Sequence, residues 1–132
     1  MSAPKAKIVI IDDDPIQGKL IERILKGDEY SITHCHDAES ALVLLGKDAR
    51  ETKKAAFDLV ICDFMLPGMD GFQTVEFLRR SEHGKTTPIL FISAHGYALR
   101  NRAIKAGADA FMAKPVDPAK LRTQVHALLK LE

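Results

Sequence analysis

A chain of 132 residues is long enough for one domain with a proper core, and short for two. Hydrophobic residues at 46% and charged residues at 28% are ordinary proportions for a globular protein that folds in water. Nineteen basic residues against eighteen acidic ones leave a formal charge of +1, which argues against a nucleic-acid module and its strongly basic face.

No apolar run approaches the roughly 20 residues needed to span a bilayer. The start, Met1-Ser2-Ala3-Pro4-Lys5, has no secretion-signal core, so the cytoplasm is the expected location. Cys35 and Cys62 lie in no metal-ligand spacing and read as small strand hydrophobes.

In chain order, a strand-like run near 6–11 (Ile8-Val9-Ile10-Ile11) leads into Asp12-Asp13-Asp14. Asp14-Pro15 then supplies an N-cap carboxylate followed by proline at the first helical position. Ile16, Leu20, Ile24 and Leu25 form the expected apolar face of the first helix, which Gly27 can end. Ile21, beside that stripe, is either further core or an exposed contact.

A second strand near 30–35 carries His34 on the same face as His36 in the segment that follows, a pair expected to face solvent. Ala38, Ala41, Leu42 and Leu45 mark a second helix, with the charged stretch from Gly46 to Ala56 either its extension, the preferred reading, or a solvated loop. A third strand near 57–62 ends in Asp63. Asp70-Gly-Phe-Gln73 is a capping-box variant opening a third helix with Phe72, Val75 and Leu78 inward.

The fourth strand, near 88–93, runs into Ser93, and a weaker helical stripe of Leu99, Ala103 and Ala106 ends at Gly107. Arg100, Arg102 and Lys105 are expected on the wet face of that helix, with a docking role as the alternative. The fifth strand, near 109–113, meets Lys114-Pro115, and Asp117-Pro118 caps a last helix with Leu121, Val125 and Leu128 inward.

Strands alternating with helices imply βαβ units, a parallel sheet and right-handed crossovers with helices on both faces. Parallel strands bring their C-terminal ends to one edge, where open α/β sheets bind ligands. The consecutive carboxylates Asp12, Asp13 and Asp14 would repel one another there, with Asp63 at the same edge. A cation held by Asp12 and Asp13 relieves that repulsion, while Asp14 serves as the helix cap. Oxygen donors with few protein ligands suit Mg²⁺, with Mn²⁺ as a substitute. The Lys114 ammonium and the Ser93 hydroxyl can each hold a phosphoryl oxygen. A metal, a cation, a hydroxyl and carboxylates are what phosphoryl transfer needs.

These residues resemble the receiver domain of two-component response regulators, from about Lys7 to Leu129. The matching pieces are Ile11-Asp12-Asp13-Asp14-Pro15, Asp58 to Asp63 with Pro67-Gly68 and Asp70-Gly71, Ser93-Ala94, Gly107-Ala-Asp109 and Lys114-Pro115. Each piece alone is short; five in order at strand ends are specific. The resemblance implies an α/β flavodoxin-like (βα)5 fold, with strand order 2-1-3-4-5, formed as one receiver domain over 1–132 with its core at about 7–129.

It further implies Asp63 as the phosphoacceptor, charged from a phosphohistidine on a histidine kinase or histidine phosphotransfer protein. Mg²⁺ would be held by Asp12, Asp13, Asp63 and the backbone carbonyl of Met65. Ser93 and Lys114 would grip the product, with Ser93 and Phe111 as switch positions. Met65 and His95 occupy the positions that modulate phosphoryl lifetime. A downstream protein would read the fourth helix, fifth strand and fifth helix, and the Lys114–Pro115 bond would be cis. Ile21, if exposed, would touch the donor.

On this reading the chain is a phosphoacceptor switch and not an enzyme acting on a separate substrate. It involves no direct contact with nucleic acid and no membrane insertion. One alternative is a small Mg²⁺-dependent phosphohydrolase of haloacid-dehalogenase type, since Asp12-Asp13-Asp14 also satisfies Asp-x-Asp after a strand. The segment from Lys114 to Glu132 lacks the later acidic pair that class needs. Another is a non-phosphorylated scaffold receiver. With no output domain after Glu132, a single-domain regulator or relay protein and a piece of a longer protein are both compatible with the sequence.

Overall fold

The computed structural model describes residues 6–44, 57–64, 68–81 and 84–129. Strand β1 (Lys7–Ile11) is followed by helix α1 (Pro15–Leu25), β2 (Ser31–Cys35) and α2, described over residues 38–44. Next come β3 (Leu59–Asp63), α3 (Gly71–Arg80), β4 (Ile89–Ser93), α4 (Arg100–Ala106), β5 (Ala110–Ala113) and α5 (Pro118–Leu128). The strands form one parallel sheet in the order β2-β1-β3-β4-β5. The expected fold class and strand order are what the protein adopts.

Side chains alternate across a strand, and β1 shows how the two cores arise. Ile8 and Ile10 join Ile21, Ile24, Leu25, Leu121 and Val125, the layer under α1 and α5. Val9 and Ile11 join Ala41, Phe72, Val75, Leu78 and Ala103, the layer under α2, α3 and α4. With both sheet faces covered, all five residues of β3 and all five of β4 are buried, as parallel strands between helical layers require.

The caps are those the sequence offers. Asp14 accepts from the Ile16 N–H, Asp117 accepts from Ala119 and Lys120, and Asp70 and Gln73 close a reciprocal capping box. Gly107 takes φ +127° after α4, and the Lys114–Pro115 bond is cis. Cys35 and Cys62 both register with Ile11, from opposite sides of β1. Two strand spacings, about 10 Å, separate them, which is beyond disulfide reach.

Three expectations need correction. Ile16 and Leu20 are 78% and 44% exposed, while Ile21 is 1% exposed, so α1 is rotated relative to the expected stripe. The choice between core and exposed contact therefore resolves in favour of core for Ile21. Helix α1 ends before Gly27: a 3-10 turn follows over Lys26–Asp28, and Glu29 takes the left-handed position at φ +62°. His34 is not solvent-facing; its imidazole lies between β2 and α1, as described below. The proposed extension of α2 through Gly46 to Ala56 lies outside the described residues.

Candidate functional site

Each strand next to the crevice delivers one polar group at its C-terminal end. Asp12 directly follows β1, Asp63 is the last residue of β3, Ser93 the last of β4, and Lys114 directly follows β5. The pairing continues past the strands: Phe64 N–H donates to the Ile92 carbonyl, and Lys114 N–H donates to the Ser93 carbonyl at 2.8 Å. Sheet register therefore fixes where these side chains start.

The carboxylates of Asp12, Asp13 and Asp63 each place an oxygen within 4.8 Å of the others. Asp12 and Asp63 are nearly buried, at 2% and 5% exposure, while Asp13 is exposed. Lys114 Nζ lies 2.9 Å from Asp63 Oδ1. Asp12 Oδ1 accepts the Asp14 N–H at 2.8 Å, and the carbonyl of the same residue accepts from His34 Nε2. Ser93 is fully buried, and its Oγ accepts the His95 N–H at 3.0 Å.

Burial pushes the Asp12 carboxyl up to about 6, and the neighbouring Asp63 charge adds to that rise. The Asp14 N–H and the Lys114 ammonium pull the other way. Three carboxylates against one ammonium leave an excess of two negative charges when all are ionised. A small divalent cation is the natural complement to that excess and to an all-oxygen donor set. The residues fit Mg²⁺ on those grounds.

Met65 lies outside the described residues, so its carbonyl as a ligand and its side chain as a lifetime modulator are not placed by the structure. His95 is exposed, with its ring 5.6 Å from that of Phe64 in an edge-on arrangement. Phe111 is 9% exposed and stacked on Phe91 at 6.0 Å, with the tilted ring of Tyr97 5.9 Å away. Phe91 in turn stacks on Phe72, and Phe64 packs on both. Rings thus connect the residue after Asp63 to the surface beside α4. Periodicity could flag these aromatics as core, but it could not show that they touch.

Comparison with known proteins follows the same lines. A family model, the response regulator receiver domain, matches residues 8–126. The transcriptional activator protein PfeR of Pseudomonas aeruginosa is 32% identical over 131 residues, covering 98% of this chain and 40% of PfeR. The two-component response regulator ARR5 of Arabidopsis thaliana is 27% identical over 139 residues, covering all of this chain and 76% of ARR5. Among solved structures, the receiver domain of the sensor histidine kinase PA1611 from Pseudomonas aeruginosa superposes with a TM-score of 0.78 at 25% identity. The match covers 95% of this chain and 98% of that domain, which holds a magnesium ion in its active site cleft. The chain spans less than half the length of PfeR and about three quarters of ARR5.

No helix among the described residues is long and apolar enough to cross a membrane. With sheet order, strand-end chemistry and a family match over residues 8–126 in agreement, the chain belongs to the response regulator receiver domain family of two-component systems.

Proposed function

We propose that Asp63 accepts a phosphoryl group from a phosphohistidine on a histidine kinase or histidine phosphotransfer protein. The observation that carries this reading is the Lys114–Asp63 ion pair at 2.9 Å inside the acidic cluster. The ammonium is positioned on Asp63, which favours Asp63 as the reacting carboxylate. A dehalogenase-type phosphohydrolase would use Asp12 as nucleophile. The full set of acidic, hydroxyl and amine groups argues against a scaffold receiver that is never phosphorylated.

An Asp63 carboxylate oxygen attacks phosphorus in line. The P–N bond breaks, and the imidazole leaves with that electron pair and takes up a proton from solvent. Asp12, Asp13 and Asp63, with the Met65 carbonyl, would hold Mg²⁺, which when bound offsets charge on the phosphoryl oxygens. Lys114 moves from the carboxylate to one phosphoryl oxygen, and Ser93 exchanges its contact with the His95 N–H for another. The aspartyl phosphate so formed is a covalent carboxylate intermediate. Its added charge biases the surface formed by α4, β5 and α5 through Ser93 and Phe111, and a downstream protein reads that surface.

The protein then acts as a switch whose chemistry is limited to gaining and losing its own phosphoryl group, with His95 and Met65 setting how long the group lasts. It works as one receiver domain in the cytoplasm, alone or within a longer chain, without direct contact to nucleic acid or insertion into a membrane. The test is intact mass after incubation with Mg²⁺ and a small acyl-phosphate donor. The expected result is one phosphoryl adduct, absent in Asp63→Asn. An adduct that survives in Asp63→Asn but is lost in Asp12→Asn would overturn the reading and favour the hydrolase.

A further inference from the structure

Asp12 is gripped by β2 through both of its backbone polar groups. Its N–H donates to the Cys35 carbonyl at 3.0 Å, one step beyond the last paired residues Ile11 and Cys35. Its carbonyl lies 2.8 Å from His34 Nε2. A carbonyl can only accept, so the imidazole carries its proton on Nε2. Strand β2 ends at Cys35, and Asp37 turns away to cap α2, accepting the Ser40 N–H at 2.7 Å. The imidazole therefore takes the place of the next ladder donor.

The ring can reach that carbonyl because α1 has a glycine where it passes over β2. Gly18 is buried, and a Cβ on it would overlap the imidazole Cε1, Nδ1 and Nε2. The Gly18 N–H donates to the Asp14 carbonyl at 3.1 Å. The ring thus sits under the first turns of α1 while it holds the residue after β1. Asp12, Asp13 and Asp14 lie on the segment clamped between these contacts.

We infer that His34 is a positioning residue for the acidic cluster, fixing the β1–α1 turn so that Asp12 and Asp13 present their oxygens toward Asp63, and that Gly18 is its obligate seat. The inference rests on the metal-site reading above and goes beyond it, since His34 touches neither the phosphoryl group nor the cation. Groups that orient metal-binding residues typically change affinity by about 10–100-fold when lost. An imidazole bonded to a ligand residue's carbonyl belongs at the lower end of that range.

The test is a double-mutant cycle read by calorimetric titration with Mg²⁺ alone, with hydrogen exchange of the Asp12–Gly18 amides in metal-free protein as the second readout. His34→Ala is expected to weaken Mg²⁺ binding about tenfold and speed exchange in that segment. His34→Gln, which keeps an N–H donor, should restore most of both. Gly18→Ala should reproduce the loss in the wild-type background by evicting the ring. In the His34→Ala background the same change should cause no further loss, because the clashing ring is gone.

Wild-type Mg²⁺ affinity and slow exchange in His34→Ala, with binding abolished in Asp13→Asn, would overturn this inference and leave the metal site standing. Equal and additive losses from Gly18→Ala in both backgrounds would also overturn it, as a helix effect unrelated to His34. Absence of Mg²⁺ binding in the wild type would overturn the metal reading, and this inference with it.

Discussion

Arg79, in the last turn of α3, reaches Asp109, immediately before β5, with Nη2 2.6 Å from Oδ2. The same guanidinium donates to the carbonyls of Gly107 and Gly84 at 2.8 Å and of Thr87 at 2.6 Å. Asp109 Oδ2 also accepts the Ile89 N–H at 2.8 Å. One planar cation therefore ties the ends of two loops to the starts of β4 and β5, at the edge of the sheet opposite the acidic cluster.

Arg79→Ala should destabilise the domain by about 2–4 kcal/mol, because several backbone carbonyls lose a charged donor together. Arg79→Lys should recover little, since an ammonium cannot match the fork of donors. Denaturant unfolding measures both. A loss under about 0.5 kcal/mol would mean that water replaces the guanidinium freely.

The raised Asp12 carboxyl has a consequence for stability. Its folded value of about 6 lies above its ordinary 3.8, so folding takes up a proton between these values. The contribution therefore favours the fold below the lower value and is withdrawn as pH rises through the upper one. Metal-free Asp12→Asn should be more stable than the wild type by about 1–3 kcal/mol near neutral pH. The gap should close as pH falls toward about 4. Mg²⁺ should stabilise the wild type and do little for the variant. Identical unfolding curves for the two metal-free proteins near neutral pH would contradict the prediction.

Gly71 opens α3 directly against the strand that carries Asp63. Its N–H donates to the Phe64 carbonyl at 2.8 Å, and a Cβ there would lie 2.8 Å from both the Asp63 carbonyl oxygen and Phe64 Cα. These are backbone atoms and cannot swing aside. Gly71→Ala should cost about 1–3 kcal/mol in stability and slow phosphoryl labelling by displacing the end of β3. Unchanged stability and labelling would show that the helix start shifts freely.

Ile16 and Leu20 stand exposed one turn apart on α1, next to the acidic segment. If the proposed function holds, these two side chains, and not the buried Ile21, are expected to meet the phosphohistidine donor. Ile16→Asp should lower the transfer rate from a phosphorylated donor by about tenfold, a loss typical of an interface anchor worth somewhat more than 1 kcal/mol. Labelling by a small acyl phosphate should be unaffected. Equal slowing of both reactions would place the effect in the site itself.

Sheet order and the strand-end residues were legible because a parallel sheet sends every strand's C-terminal end to one edge, and the pattern of runs and polar ends survives errors of a residue or two in boundaries. The rotation of α1 was not. Ile16, Leu20, Ile21, Ile24 and Leu25 contain two overlapping helical stripes, and periodicity alone cannot choose between them. Asp14 sets where the helix begins, and the close passage of Gly18 over His34 is the contact that distinguishes the two. The place of His34 leaves no local trace either, because its role is a bond across 22 residues of sequence. The Arg79 hub spans up to 30 residues and leaves no periodic trace.

The ring contacts that end at Tyr97 also place one of the chain's two tyrosines against the α4–β5 surface. The chain has two tyrosines and no tryptophan, so its near-ultraviolet emission comes chiefly from Tyr97, on Phe111, and Tyr30, just before β2. Tyr97 is 69% exposed and touches a ring that stacks into the core. Removing Tyr30 leaves a single fluorophore reporting on the α4–β5 surface. The native side chain becomes the optical probe, with no dye attached and no tryptophan introduced.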